Sequence, residues 1–124
     1  MKATKRIWAG RVISALPALL MLLTGLSLVV MKSPSVTESF VKFGYPESLI
    51  APIGILEFVC ALIYVIPRTS VLGAVLVTAY LGGATATHVR ISDPSFVGPI
   101  VTGILVWLGL YLRDDRLRQF LPSR

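Results

Sequence analysis

Four long apolar runs constrain this chain more than any other feature: Val12 to Met31, Leu49 to Ile66, Val71 to Val89 and Phe96 to Leu112. At 1.5 Å per helical residue, runs of about 17 to 20 residues reach across a hydrocarbon core of roughly 30 Å. Inside lipid the backbone must satisfy its own polar groups, which makes each run a helix. A hydrophobic content of 55% and a mean hydropathy of +0.80 exclude an ordinary soluble domain. The links "PRTS" and "ISDPS" are short, so consecutive helices must be antiparallel neighbours. The expectation is all-α: one domain over residues 1–124, an integral membrane antiparallel four-helix bundle.

Charge placement orients it. Of twelve Lys and Arg, nine fall at the N-terminus (Lys2, Lys5, Arg6, Arg11), at Arg68, and in the tail (Arg113, Arg116, Arg118, Arg124). Lys32, Lys42 and Arg90 fall on the other side. By the positive-inside rule both termini are expected to be cytoplasmic, and the net charge of +6 then speaks for a membrane surface rather than nucleic acid. The first run is longer than a signal-peptide core, and "LVVMKSPS" after it offers no small-x-small cleavage site, so it is read as a retained span. Trp8, Trp107 and Tyr111 read as aromatic anchors at the inner interface.

The first outer loop is the longest. In it "SVTE" (Ser35 to Glu38) fits a capping box, and Val36, Phe40, Val41 and Phe43 form an apolar edge. A short surface helix over about 35–43 is expected, ended by "GYP" at 44–46, with Pro46 just inside the start of the second span. The tail, with Leu117, Phe120 and Leu121, is expected to rest on the inner leaflet.

Glu57 is the residue that does not belong in lipid. An intramembrane carboxyl is expensive and marks a functional site by default. Steps of three and four place Gly54, Cys60, Ala61 and Tyr64 on its face. Counting depth along antiparallel helices sets Tyr80 level with Glu57, and Tyr80, Ala84 and His88 then share a stripe that rises to the outer surface with Thr87 beside it. Ala79, Gly83 and Thr87, like Gly82 and Ala86, follow a small-xxx-small spacing that permits close helix approach. Glu57, Tyr80 and His88 are therefore the candidate catalytic residues. Gly54, Tyr64, Gly83, Ala84, Thr87 and Arg90 are the candidate ligand contacts, around one cavity between the second and third spans. Each has a structural alternative: Glu57 as a packing hydrogen bond to Tyr80, His88 as an interfacial residue, Arg90 as a snorkelling anchor, Cys60 as a small buried hydrophobe. One histidine, one cysteine and one intramembrane carboxylate make no metal site, and a lone cysteine makes no internal dithiol.

Taken together, "GYP" at 44–46, "GILE" at 54–57, "IPRT" at 66–69, "YLGGATATHVR" at 80–90 and "WLGLYLRD" at 107–114 resemble the DoxX-like family of small four-helix bacterial membrane proteins. The resemblance implies the bacterial cytoplasmic membrane. It also implies redox work for some members, as a membrane subunit of thiosulfate:quinone oxidoreductase or within complexes handling thiol stress, and assembly roles for more distant relatives. Three readings follow. In the first the chain is a membrane subunit or partner in a quinone- or thiol-linked redox system, with no covalent cofactor and a quinone as the candidate ligand. There His88 or Tyr80 would donate to a carbonyl and Glu57 would relay a proton. In the second it is a cofactor-free isomerase or cyclase with Glu57 and His88 as acid and base. In the third it is a non-catalytic assembly protein. Its partners are the bilayer, a lipophilic small molecule, and another membrane protein or a second copy of itself.

Overall fold

The computed structural model describes residues 2–31 and 33–120; Lys32, Leu121 and Arg124 lie outside the described residues. Six α-helices follow in order: α1 (Lys2–Val30), α2 (Pro34–Phe43), α3 (Ile50–Val65), α4 (Ser70–Arg90), α5 (Val97–Arg113) and α6 (Asp115–Phe120). Single 3₁₀ turns at Glu47–Leu49, Pro67–Thr69 and Pro94–Phe96 lead into α3, α4 and α5. Proline opens the last two turns, where its missing N–H costs nothing and its fixed φ starts the coil. Four segments, Thr4–Val30, Glu47–Val65, Pro67–Arg90 and Pro94–Arg113, are long and apolar enough to cross a membrane. α1 begins about ten residues before its apolar run, because no breaker precedes Val12.

The four long helices form a ring. α1 packs on α3 and α5, α4 packs on the same two, and α1 and α4 face each other across the middle. Inside, small and polar residues pack with a few large ones, Met21, Tyr64, Val106 and Leu110 among them, and the outside is large and apolar. Ser14, Ala18, Glu57, Cys60, Ala61, Ser70, Ala74 and Val77 are buried, while Leu16, Leu19, Leu23, Leu56, Leu72 and Ile104 are exposed. Such a distribution suits a lipid surround, where helices associate by close packing rather than by hiding apolar surface.

Glycines set the closest approaches, though not the ones the spacing in α4 suggests. A Cβ on Gly54 would lie 2.7 Å from Gly25 O, and one on Gly25 2.8 Å from Gly54 O, so α1 and α3 touch backbone to backbone there. Gly10 on α1 similarly abuts the backbone of α5, 2.7 Å from Arg113 N. By contrast a Cβ on Gly82 or Gly83 would meet nothing within 4 Å. Gly82 and Gly83 thus open space instead of closing it, whereas Gly73, also on α4, packs against the Tyr64 backbone of α3.

The end of the bundle that carries Arg6 and Asp115 is held by a polar clasp. Tyr64, 1% exposed, donates its hydroxyl proton to Val106 O at 2.7 Å, and its oxygen lies 3.0 Å from Ser14 Oγ. Arg113 donates to the same Ser14 Oγ at 2.9 Å and lies over the Tyr64 ring, 4.9 Å from its centroid. Arg6 meets Asp115 at 2.9 Å, which brings the two ends of the chain to one end of the bundle. Hydrogen bonds from Arg116 hold the Asp114 carboxyl below the usual carboxylate range, with Ser70 adding a smaller contribution, and Arg116 also donates to Pro67 O at 2.7 Å. This network closes the α3–α4 link onto α6. Trp107 does more than anchor, since its indole N–H donates to Thr78 Oγ1 at 2.6 Å and ties α5 to α4.

At the opposite end α2 starts earlier than the capping box implies. Its N-cap is Ser33 with no side-chain cap bond, followed by Pro34. Proline has no N–H to cap and sets φ itself, so the "SVTE" hydroxyl and carboxyl are not needed there. The helix ends where expected: Gly44 takes φ +90°, with its N–H bonded to Val41 O and that of Tyr45 to Phe40 O, a Schellman ending. Pro46 caps the turn before α3 rather than sitting inside the helix.

Candidate functional site

The buried face of α3 is Gly54, Glu57, Cys60, Ala61 and Tyr64, the face that residue spacing assigns to it. Glu57 is 8% exposed and faces no cation; the ion pairs among the described residues are Arg6–Asp115 and Arg116–Asp114. Two hydroxyls meet its carboxyl instead. Thr24 Oγ1 of α1 donates to Oε2 at 2.5 Å, and Tyr80 Oη of α4 donates to Oε1 at 3.2 Å. One side chain thereby joins three helices at mid-bundle. Thr24 escapes a reading of the sequence because a hydroxyl in a helix ordinarily bonds its own backbone, and Leu20 O also lies within reach of this one at 2.8 Å. It stands beside Gly25, whose Cβ position lies 2.8 Å from Gly54 O, a contact that no local feature of the sequence marks.

Between Tyr80 and the α2 end of the bundle lies a cavity of about 400 Å³. Its α4 wall is Ala79, Tyr80, Gly83, Ala84, Thr87 and His88, one stripe of the helix. Ile53 and Leu56 of α3 and Leu28 of α1 form the apolar side. The roof is α2 and the residue after its cap, Phe40, Phe43 and Tyr45. The amphipathic pattern predicts that α2 exists, yet says nothing of what it covers.

Three contacts latch this roof to α4. Tyr45 Oη lies 3.0 Å from Thr87 Oγ1. The Phe43 ring meets the His88 imidazole edge-on, with centroids 4.9 Å apart. The Arg90 guanidinium donates to Phe43 O. His88 Nδ1 lies 2.8 Å from Ala84 O; a carbonyl only accepts, so Nδ1 carries the proton and a neutral ring leaves Nε2 as an acceptor. Beyond α4, Asp93 accepts from Ser95 N at 2.9 Å, and that backbone bond holds its carboxyl below the usual range.

The candidate residues therefore divide. Tyr80, Gly83, Ala84, Thr87 and His88 line the cavity, and Glu57 stands behind Tyr80. Arg90 sits at the rim, holding the roof. Gly54 packs against α1, and Tyr64 belongs to the clasp at the opposite end. Cys60 is buried. No group of three His, Cys, Asp or Glu that could hold a metal occurs among the described residues.

No curated protein and no solved structure matches the chain. The sequence profile of the DoxX-like family matches residues 12–109, a range that covers the second and third crossing helices whole and most of the first and fourth, with the Glu57 bridge and the cavity. This multi-pass membrane protein belongs to the DoxX-like family.

Proposed function

We propose that the protein is a binding subunit of a quinone- or thiol-linked redox system, holding a lipophilic molecule in the cavity between α3 and α4. The observation that carries this reading is the chemistry of the cavity wall. Apolar surface from Leu28, Ile53, Leu56, Phe40 and Phe43 surrounds a few polar groups at two depths, Tyr80 below and Tyr45, Thr87 and His88 above. A volume of about 400 Å³ falls in the range of small-molecule sites, which are apolar with a few fixed polar groups. Leu56 and Ala79 line the cavity and are also exposed on the outside of the bundle, so an alkyl tail can pass between α3 and α4 into lipid. Thiol chemistry would fall to a partner, since Cys60 is buried and alone. The cationic end with Lys5, Arg11 and Arg68 faces the cytoplasm of a bacterial inner membrane in this reading, which puts the cavity in the outer leaflet.

Gly83 permits a clean test. A side chain there enters the cavity without striking another helix, whereas one at Gly82, equally unopposed, lies on the exposed surface outside the lining. With protein reconstituted in lipid nanodiscs, Gly83→Leu is expected to weaken binding of a decyl-substituted hydroquinone by roughly tenfold or more, and Gly82→Leu to leave it unchanged. Equal binding by all three proteins would mean that the cavity is not the site.

A further inference from the structure

We infer that the cavity offers its ligand hydrogen-bond acceptors only, and so selects a lipophile that brings its own hydroxyl protons over one that presents bare carbonyls. The inference rests on the cavity reading above and deepens it. Each polar proton on the lining is already committed inside the protein. Tyr80 donates to Glu57 Oε1. Thr87 donates to Gly83 O at 2.8 Å, which leaves Tyr45 as the donor in its 3.0 Å contact with Thr87 Oγ1. His88 Nδ1 donates to Ala84 O. A hydroxyl has one proton and a neutral imidazole has one N–H, so none is left over.

What these lining residues have left to offer a ligand is the lone pairs of Tyr80, Tyr45 and Thr87 and, with Nδ1 protonated, the Nε2 of His88. His88 Nε2 has no hydrogen-bond partner among the described residues. A quinone carbonyl entering this site finds no donor unless one of those internal hydrogen bonds, to Glu57, Thr87, Gly83 or Ala84, breaks. A hydroquinone, phenol or alcohol supplies the missing protons and breaks nothing. Sites built to pair with a ligand hydroxyl discriminate sharply against analogues that lack it, because the site's own polar groups are then left unpaired. The ligand class that fits is a hydroxylated lipophile, with Nε2 of His88 as a specificity-determining acceptor.

The test compares three probes on the full-length protein in nanodiscs: decyl-hydroquinone kept reduced, decyl-benzoquinone, and the dimethyl ether of the hydroquinone, which keeps the ring and tail but has no O–H. The hydroquinone is expected to bind roughly tenfold tighter than either of the others. His88→Phe keeps an aromatic ring against Phe43 but removes the acceptor, and is expected to narrow that preference to about threefold or less. Benzoquinone or ether binding as tightly as the hydroquinone would overturn the inference while leaving the cavity reading in place. Binding of none of the three would overturn both. A full preference retained in His88→Phe would overturn the assignment to His88.

Discussion

A Gly54→Leu protein is expected to lose the α1–α3 pairing and with it the folded bundle. The Cβ alone would sit 2.7 Å from Gly25 O and 2.7 Å from Leu28 Cβ, and the first of these is backbone that cannot rotate away. Overpacking a filled core costs about 1–3 kcal/mol when neighbours can repack. Here two helices would have to separate along the contact that Gly25 and Gly54 share, which puts the cost at or above the top of that range. Thermal unfolding in mild detergent reads it directly: Gly54→Leu should melt well below wild type, and Gly82→Leu within a degree or two of it. The contrast between the two glycines carries the weight. If Gly82→Leu were the destabilised one, the ring order and the open outer half of α4 would both be wrong.

A second large effect is expected on ligand choice rather than on folding. Glu57→Leu removes the acceptor for both Thr24 and Tyr80. Hydrogen bonds between membrane helices average about 0.6 kcal/mol, so two of them cost about 1 kcal/mol and the bundle survives on its glycine contacts and the Tyr64 clasp. Thr24 keeps Leu20 O as an acceptor. Tyr80 loses its one acceptor among the described residues, and its proton becomes available to the cavity. Benzoquinone should then bind better and hydroquinone worse, narrowing the preference by roughly tenfold. Glu57→Gln retains a carbonyl oxygen for Tyr80 and should keep most of the preference. A Glu57→Leu protein that melts far below wild type and binds both probes unchanged would make Glu57 a packing device alone.

How much of this was legible beforehand depends on the range of the interaction. Four helices, their order and the buried face of α3 follow from runs and spacing within single segments, where the repeat of the helix does the arithmetic. The pairing of Glu57 with Tyr80 was also within reach, because antiparallel helices with short links make depth countable. Interactions across segments were harder. Nothing local distinguishes Gly25 and Gly54, which touch another backbone, from Gly82 and Gly83, which touch nothing. Small-residue spacing permits close approach without choosing which helix approaches. Tyr64 shares a face with Glu57, yet α3 is long enough for the two to serve opposite ends of the molecule. The roof was least legible, since a ten-residue helix on the surface is positioned by three contacts to α4, all made by residues at or beyond its C-terminal end or by their α4 partners. Direction of hydrogen bonding likewise needed coordinates. The composition of the stripe makes His88 a natural donor, and the carbonyl of Ala84 makes it an acceptor toward the cavity.

Native mass spectrometry of the intact protein released gently from its own membrane tests most directly whether the cavity holds a lipophile. Wild type should carry one small molecule in the mass range of an isoprenoid hydroquinone or a comparable hydroxylated lipid, and Gly83→Leu should emerge without it. Bare protein in both samples, or the same adduct on both, would contradict a ligand held in the cavity beneath α2.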